Sequence, residues 1–366
     1  MMRLFAFRPK PLPGEILSSW ICRTAAGHNG KLHSFCHYVW PGRQMWNRDP
    51  DWSCPSDVVE TMARGTGTAP EVARATHLRS LEGRLYETHR PNAKTPWIRP
   101  IGVWHRKRLN PGLQYCAACL AEDATPYFRI AWRLGFAAAC LTHRTILRET
   151  CTCGAALNFH RMVAHGELCQ CDACGADLRA TAMEPAAPDA LAFQRHLFNA
   201  LERSVADLGS YGPVASVRYF VLIHQLLKML TSRKCADRLL YRVRLSTGLD
   251  VRVDPSIARN IEVDRLPPRL RHDLLRAAAV LVDRWPEPMV ELCSAARVWS
   301  SAVLADLEDP PFPLWDVARR DLNRTFYRPN EREVQAMRRS CAAREIRPSG
   351  HALRKLTGRD CSLFFR

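Results

Sequence analysis

Eight of the chain's 15 cysteines fall between positions 116 and 174: Cys116, Cys119, Cys140, Cys151, Cys153, Cys169, Cys171 and Cys174. Their spacing narrows what the middle of the chain can fold into. Cys116-x2-Cys119 and Cys140-x2-His143 are two close pairs with 20 residues between them. Cys151-x-Cys153 and Cys171-x2-Cys174 are two more, separated by 17 residues. A C-x2-C turn aims two thiolates at one point, and zinc takes four nitrogen or sulfur donors in a tetrahedron, often as two such pairs. The spacing therefore predicts two zinc sites, one of three cysteines and a histidine, the other of four cysteines. Gly154 and Gly175 follow the second set of pairs, and glycine permits the positive φ that turns backbone amides toward sulfur. Cys169 lies two residues before Cys171 and is an alternative ligand for the second site. His160 and His165 break the paired pattern and read as loop residues.

Both predicted tetrahedra are filled by protein, whereas a catalytic zinc keeps one position open. The P-C-x-x-C that accompanies H-x-E in zinc deaminases is missing, and so is H-E-x-x-H. No thioredoxin-like βαβ setting surrounds the C-x-x-C pairs. The zincs read as structural. A module of about 60–70 residues can hardly hold together on apolar burial alone, and a structural zinc supplies roughly 10–16 kcal/mol of apparent binding free energy to folding. The other seven cysteines (Cys22, Cys36, Cys54, Cys235, Cys293, Cys341 and Cys361) stand singly and read as small core or surface residues. The longest apolar run, "LGFAAACL", is only eight residues, and the N-terminus has no signal-peptide pattern. The expectation is a cytoplasmic protein without a membrane partner, in which paired cysteines bind metal rather than form disulfides.

The predicted fold class is mainly α. Helical N-terminal (1–110) and C-terminal (181–366) modules flank a central double zinc-finger module (111–180). In the first, Ile16, Leu17, Trp20 and Ile21 share a helical stripe closed by Gly27 and Gly30. Ser56 opens another helix, Gly65 and Gly67 form a turn, and Thr68 with Glu71 makes a capping box for a helix through Ala75, Leu78 and Leu85. That is a helix-turn-helix pattern flanked by Arg74 and Arg79, a pattern that ordinary helical hairpins share. Residues 91–112 are rich in proline and arginine and read as a connector; "MEPAAPDA" at 183–190 reads as a linker-like break. Helices are expected near 191–207, 214–230, 268–284 and 288–307, and the Val/Arg alternation of "LLYRVRLSTGLDVRVD" as a small hairpin or extended loop. Asn330 and Glu333 frame a last helix start, with Ser349 capping a partner through Leu353 and Leu356. This second helix-turn-helix candidate carries Arg354, Lys355 and Arg359, within a stretch of eleven Lys/Arg against four Asp/Glu from Arg324 onward. The alternative for that segment is a solvated helical pair with an arginine-rich face.

The net charge of +17 favours a polyanionic partner, nucleic acid above all. The segment "YCAACLAEDATPYFRIAWRLGFAAACLTHRTILRETCTCGAAL" resembles the zinc-finger core of the TniQ/TnsD family, and is closest to TniQ. These are target-selection proteins of transposons that use an AAA+ ATPase regulator. "PLPGEILSSWICRTAAGHNG" resembles the family's opening pattern, and "PSGHALRKLTGRD" its C-terminal helix-turn-helix. One departure is the short C-x-C at Cys151–Cys153, where the family often has C-x2-C. The resemblance implies a non-enzymatic adaptor for DNA transposition. It would connect target DNA, read directly or through an RNA-guided Cascade-type complex of a CRISPR-associated transposon, to the ATPase; some members form homodimers. The competing readings are a zinc-ribbon DNA-binding transcription regulator and, with less to support it, a zinc hydrolase or nuclease.

Overall fold

In the computed structural model, residues 4–104, 107–108, 110–162, 168–254, 262–323 and 331–346 are described. Among the described residues, helices dominate and the strands form three antiparallel two-stranded pairs. Helix α1 (Leu17–Ala26) buries the expected stripe completely, with Ile16, Leu17, Trp20 and Ile21 inaccessible to solvent. Its first N–H groups find partners from other segments. Leu17 donates to the Thr76 carbonyl at 2.9 Å. Ser18 donates through its N–H and its hydroxyl to Asp51, at 2.7 and 2.8 Å. A helix start leaves its N–H groups without internal acceptors, so Asp51 acts as a cap supplied from a distance. Asp51 lies in α3 (Pro50–Ser53), which follows α2 (Leu32–Val39).

The same contact reshapes the first helix-turn-helix candidate. Helix α4 (Ser56–Thr66) forms, with Pro55 rather than Ser56 at its N-cap. Gly65 lies inside α4 instead of in the turn, where a side chain would collide with the Phe5 ring. Gly67 alone makes the left-handed cap, at φ +64°. The next helix, α5 (Pro70–Arg74), is only five residues long. Its N-cap is Ala69, with no side-chain cap bond, so the Thr68/Glu71 capping box does not form. The chain then leaves helical geometry: the Thr76 carbonyl turns to the start of α1, His77 accepts the Arg79 N–H, and a 3-10 turn covers Leu78–Leu81. Tertiary demand overrides the local helical pattern, and Ala75 is exposed rather than in an apolar stripe.

Residues 91–112 are more than a connector. Trp97 is buried, donates its N–H to Asp264 at 3.0 Å, and donates its indole N–H to the Phe220 carbonyl at 2.9 Å. Arg99 is buried as well. It pairs with Glu149 and donates to the carbonyls of Asp264, Leu266 and Pro111. Pairs β1 (Val103–Trp104) and β2 (Lys107–Arg108) close this segment. The 183–190 stretch is likewise packed. Glu184 and Arg144 supply carbonyls that tie it to the edge of a hairpin, through N–H groups of Ile146 and Ala186.

The central part holds α6 (Ala117–Glu122), the hairpin β3 (Ala139–Cys140) and β4 (Thr145–Ile146), and α7 (Phe159–Met162). Beyond it come α8 (Pro188–Arg203), the pair β5 (Val205–Asp207) and β6 (Pro213–Ala215), α9 (Ser216–Thr231) and α10 (Ala236–Thr247). Then follow α11 (Pro268–Val282), α12 (Glu287–Ala295), α13 (Ser300–Val303), α14 (Phe312–Arg320) and α15 (Glu331–Ala343). Helix α11 packs on α8 and α9. The stretch expected as one helix over 288–307 is broken at Arg297, which takes φ +56°. The Val/Arg alternation is a helix, not a hairpin. Leu239, Leu240 and Val243 lie on one helical face and are buried, and Gly248 ends α10 at φ +74°. One continuous apolar core runs from Phe5 to Leu322. No described helix is long and apolar enough to cross a membrane.

Candidate metal centres

The first cluster is assembled by α6 and the β3–β4 hairpin. Cys116 is the extended residue that starts α6, and Cys119 follows in the first turn. Tyr115 exchanges two backbone bonds with Arg148, which fixes the strand leading into Cys116. Cys140 ends β3, and the turn to β4 brings His143 round to face it. The Cys119 and Cys140 sulfurs are 3.6 Å apart. His143 Nδ1 lies 3.5, 3.3 and 3.5 Å from the sulfurs of Cys116, Cys119 and Cys140. Zinc–ligand bonds of ~2.3 Å to sulfur and ~2.0–2.1 Å to nitrogen put tetrahedral ligands roughly 3.5–3.8 Å apart. The measured separations agree with such a site to a few tenths of an ångström. The three cysteines are buried and the histidine half-buried.

Electrostatics point the same way. Crowding by Cys116 and Cys140 pushes the Cys119 thiol far above its usual range, while hydrogen bonds from Cys116 and Cys119 hold Cys140 far below its own. Packed this closely, the thiols oppose one another's ionisation. A cation between them removes that conflict, since metal ligation requires deprotonated thiols. The outward nitrogen of His143, Nε2, lies 2.9 Å from Glu122 Oε2. Burial opposes the charged imidazole, but Glu122 and Cys140 outweigh it and raise its pKa. With a metal at Nδ1, the Nε2 proton is donated to Glu122, an orienting partner typical of metal-bound histidines. Sequence reading misses Glu122. The signal is its position three residues after Cys119, on the same face of α6.

The second cluster closes despite its short C-x-C. The Cys151 and Cys174 sulfurs are 3.7 Å apart, and those of Cys153 and Cys171 3.8 Å. Gly154 at φ +85° and Gly175 at φ +74° make the two tight turns, as their position after the pairs predicts. Their N–H groups donate to the carbonyls of Cys151 and Cys171, both at 2.9 Å. Burial opposes ionisation of Cys151, yet the Cys153 N–H, the Thr152 hydroxyl and the neighbouring sulfurs lower its thiol to about 7. Cys151 and Cys171 are buried; Cys153 and Cys174 are exposed. Cys169 is not among these four ligands. It is buried, and its carbonyl accepts the Leu178 N–H at 2.7 Å. His160 falls in α7, and His165 lies outside the described residues.

The cationic candidates stand apart from both clusters. Arg74 and Arg79 are exposed, and Arg79 lies 3.5 Å from Glu82. Arg354, Lys355 and Arg359 lie outside the described residues, as does the second helix of the C-terminal candidate.

A family model described as TniQ matches residues 6–147. No curated protein matches the chain. The matched stretch runs from ahead of α1 to just past β4. It contains every donor of the first cluster and ends before the second begins. Residues 6–147 are thus the part of the chain that is similar to the TniQ family.

Proposed function

We propose that this chain is a non-catalytic target-selection adaptor for DNA transposition. It links target DNA, or an RNA-guided Cascade-type complex, to an AAA+ ATPase transposition regulator. The observation that carries the reading is the TniQ match with a complete four-donor cluster inside it. A TniQ domain fits a target-selection role. In our reading both clusters hold zinc: Cys116, Cys119, Cys140 and His143 bind the first ion, and Cys151, Cys153, Cys171 and Cys174 the second. The metal supplies a cross-link between α6 and the β3–β4 hairpin, and between the two glycine-ended turns. With four protein donors at each ion, no coordination position is left for a substrate.

The test is a reconstituted integration assay with the ATPase and transposase of the same element. Omission of this chain is expected to abolish on-target integration; integration that stays on target without it overturns the proposal. Metal analysis tests the structural role separately. Two tightly held zinc ions per chain are expected. A single exchangeable metal with a water ligand would count against it.

A further inference from the structure

Helices α9 and α10 are joined by only four residues, 232–235. The Ser232 carbonyl accepts the N–H groups of Cys235 and Ala236 at 3.2 and 2.8 Å. The Ser232 hydroxyl accepts the Lys234 N–H at 3.3 Å, and the Cys235 thiol donates to the Met229 carbonyl at 3.2 Å. The turn is therefore well ordered. Helix α10 turns Leu239, Leu240 and Val243 inward, toward α9 and α12. Its opposite side carries Arg238, Tyr241 and Leu245 at i, i+3 and i+7, one outward ridge. Tyr241 and Leu245 are 56% and 60% exposed.

Residues 233–252 hold six Lys/Arg and two Asp/Glu. Asp250 takes up Arg244 and Arg252, at 3.5 and 3.0 Å. Arg238 donates to the carbonyls of Lys234 and Arg297, which leaves its charge in place. The Arg242 guanidinium lies 5.9 Å from the Tyr241 ring centroid. Among the described residues, Arg233, Lys234 and Arg242 have no carboxylate partner. Two helices, a four-residue turn and an exposed cationic second helix form a helix-turn-helix arrangement. It occurs at a place where residue alternation reads as a hairpin.

We propose that the outward face of α10, together with the 232–235 turn, contacts the phosphate backbone of duplex DNA. The cation excess selects a polyanion. A protein partner would be expected to meet a face depleted of charge at its centre, whereas Tyr241 and Leu245 stand among arginines. Twelve residues span roughly 18 Å, enough to lie along several phosphates or enter a major groove about 12 Å wide. Arginine and lysine supply the charge, and the Tyr241 hydroxyl is a further phosphate donor. Such contacts position a protein on DNA and carry no sequence code by themselves. The assignment rests on the charge and geometry of this helical pair, not on the transposition reading.

The test uses the full chain, metal-loaded, and a 30-bp duplex, with binding followed by fluorescence anisotropy across a salt series. The triple variant Arg233→Glu/Lys234→Glu/Arg242→Glu is expected to lose at least about tenfold in affinity near 0.1 M salt. Its log–log salt slope should shrink by about 2–3, since each phosphate neutralised contributes ~0.9. The double variant Arg233→Lys/Arg242→Lys keeps the charge and should keep the slope. Unchanged metal content in both variants shows that the fold is intact. An unchanged slope in the triple variant, or a wild-type chain that does not bind the duplex, overturns the assignment. Failed target selection with DNA binding intact would instead sink the adaptor reading and leave this surface standing.

Discussion

The two candidate metal clusters have the same number of potential donors and nearly the same sulfur spacing, yet they are embedded differently. In the first, all three cysteines are buried and the histidine is oriented by a carboxylate. In the second, Cys153 and Cys174 face solvent and the two turns are held mainly by their own backbone bonds. The TniQ match follows the same line, covering the first and stopping before the second. Equal coordination chemistry thus serves unequal structural demands. The first ion would cross-link buried donors inside the core, and the second would clasp a segment with two exposed donors that reaches the core through Leu157, Met162, Leu168 and Leu178.

The comparison can be broken experimentally. The largest effect is expected from Cys119→Ser. It should reduce bound metal from two ions to one and remove much of the ~10–16 kcal/mol that a structural zinc typically supplies. Metal analysis and thermal unfolding read both. If the variant melts like wild type, the first cluster is no core cross-link.

Acid should also act on the packed N-terminal side, independently of metal. Burial lowers the pKa of His77 to about 4, against an ordinary value of 6.5. As pH falls, the unfolded chain takes up this proton before the folded chain does. The contribution of neutral His77 is therefore complete above about 6.5 and is lost as pH drops through about 4. Its size is ~3 kcal/mol. His77→Asn keeps an acceptor for the Arg79 N–H and removes the titration. The stability difference between the two proteins from pH 7 to 4 isolates His77 from acid release of metal. A constant difference would refute the effect.

Glu122→Ala should weaken metal binding at the first cluster by about 10–100-fold, the usual cost of losing an orienting partner. Competition with a chelator measures it, and the second cluster is the internal control. Equal weakening at both would erase the distinction between them. The smallest effect on global unfolding is expected from Cys174→Ser. It too should remove one metal ion, but shift the main transition by no more than about 1–2 kcal/mol. Limited proteolysis should then cut preferentially within 151–178, and uniform cleavage would argue that this loop is integral to the core.

The two four-residue clusters are legible in the sequence because paired short spacings bring their side chains together, and α1 is legible because four buried residues recur at helical period. Other features depend on partners far along the chain. The helix that begins at Pro70 is cut short because the Thr76 carbonyl is needed by Leu17. Helix α10 resembles a strand in its Val/Arg alternation, and only the burial of Leu239 and Leu240 side by side decides the matter. Residues 91–112 have linker composition, but Trp97 and Arg99 act through Phe220, Asp264 and Glu149. Glu122 is the one missed site residue that helical periodicity from Cys119 reveals.

Trp97 and Arg99 also bear on how this protein can be divided. The family match invites a cut after residue 147. That cut would leave Arg99, almost wholly buried, without Glu149 and without the carbonyls of Asp264 and Leu266. It would strip Trp97 of both its hydrogen-bond acceptors. A buried charge deprived of its partner typically costs about 3–5 kcal/mol, which a fragment of that size can ill absorb. The recognisable domain and the folding unit are therefore different objects: heredity is traceable in residues 6–147, but cooperativity belongs to the longer chain.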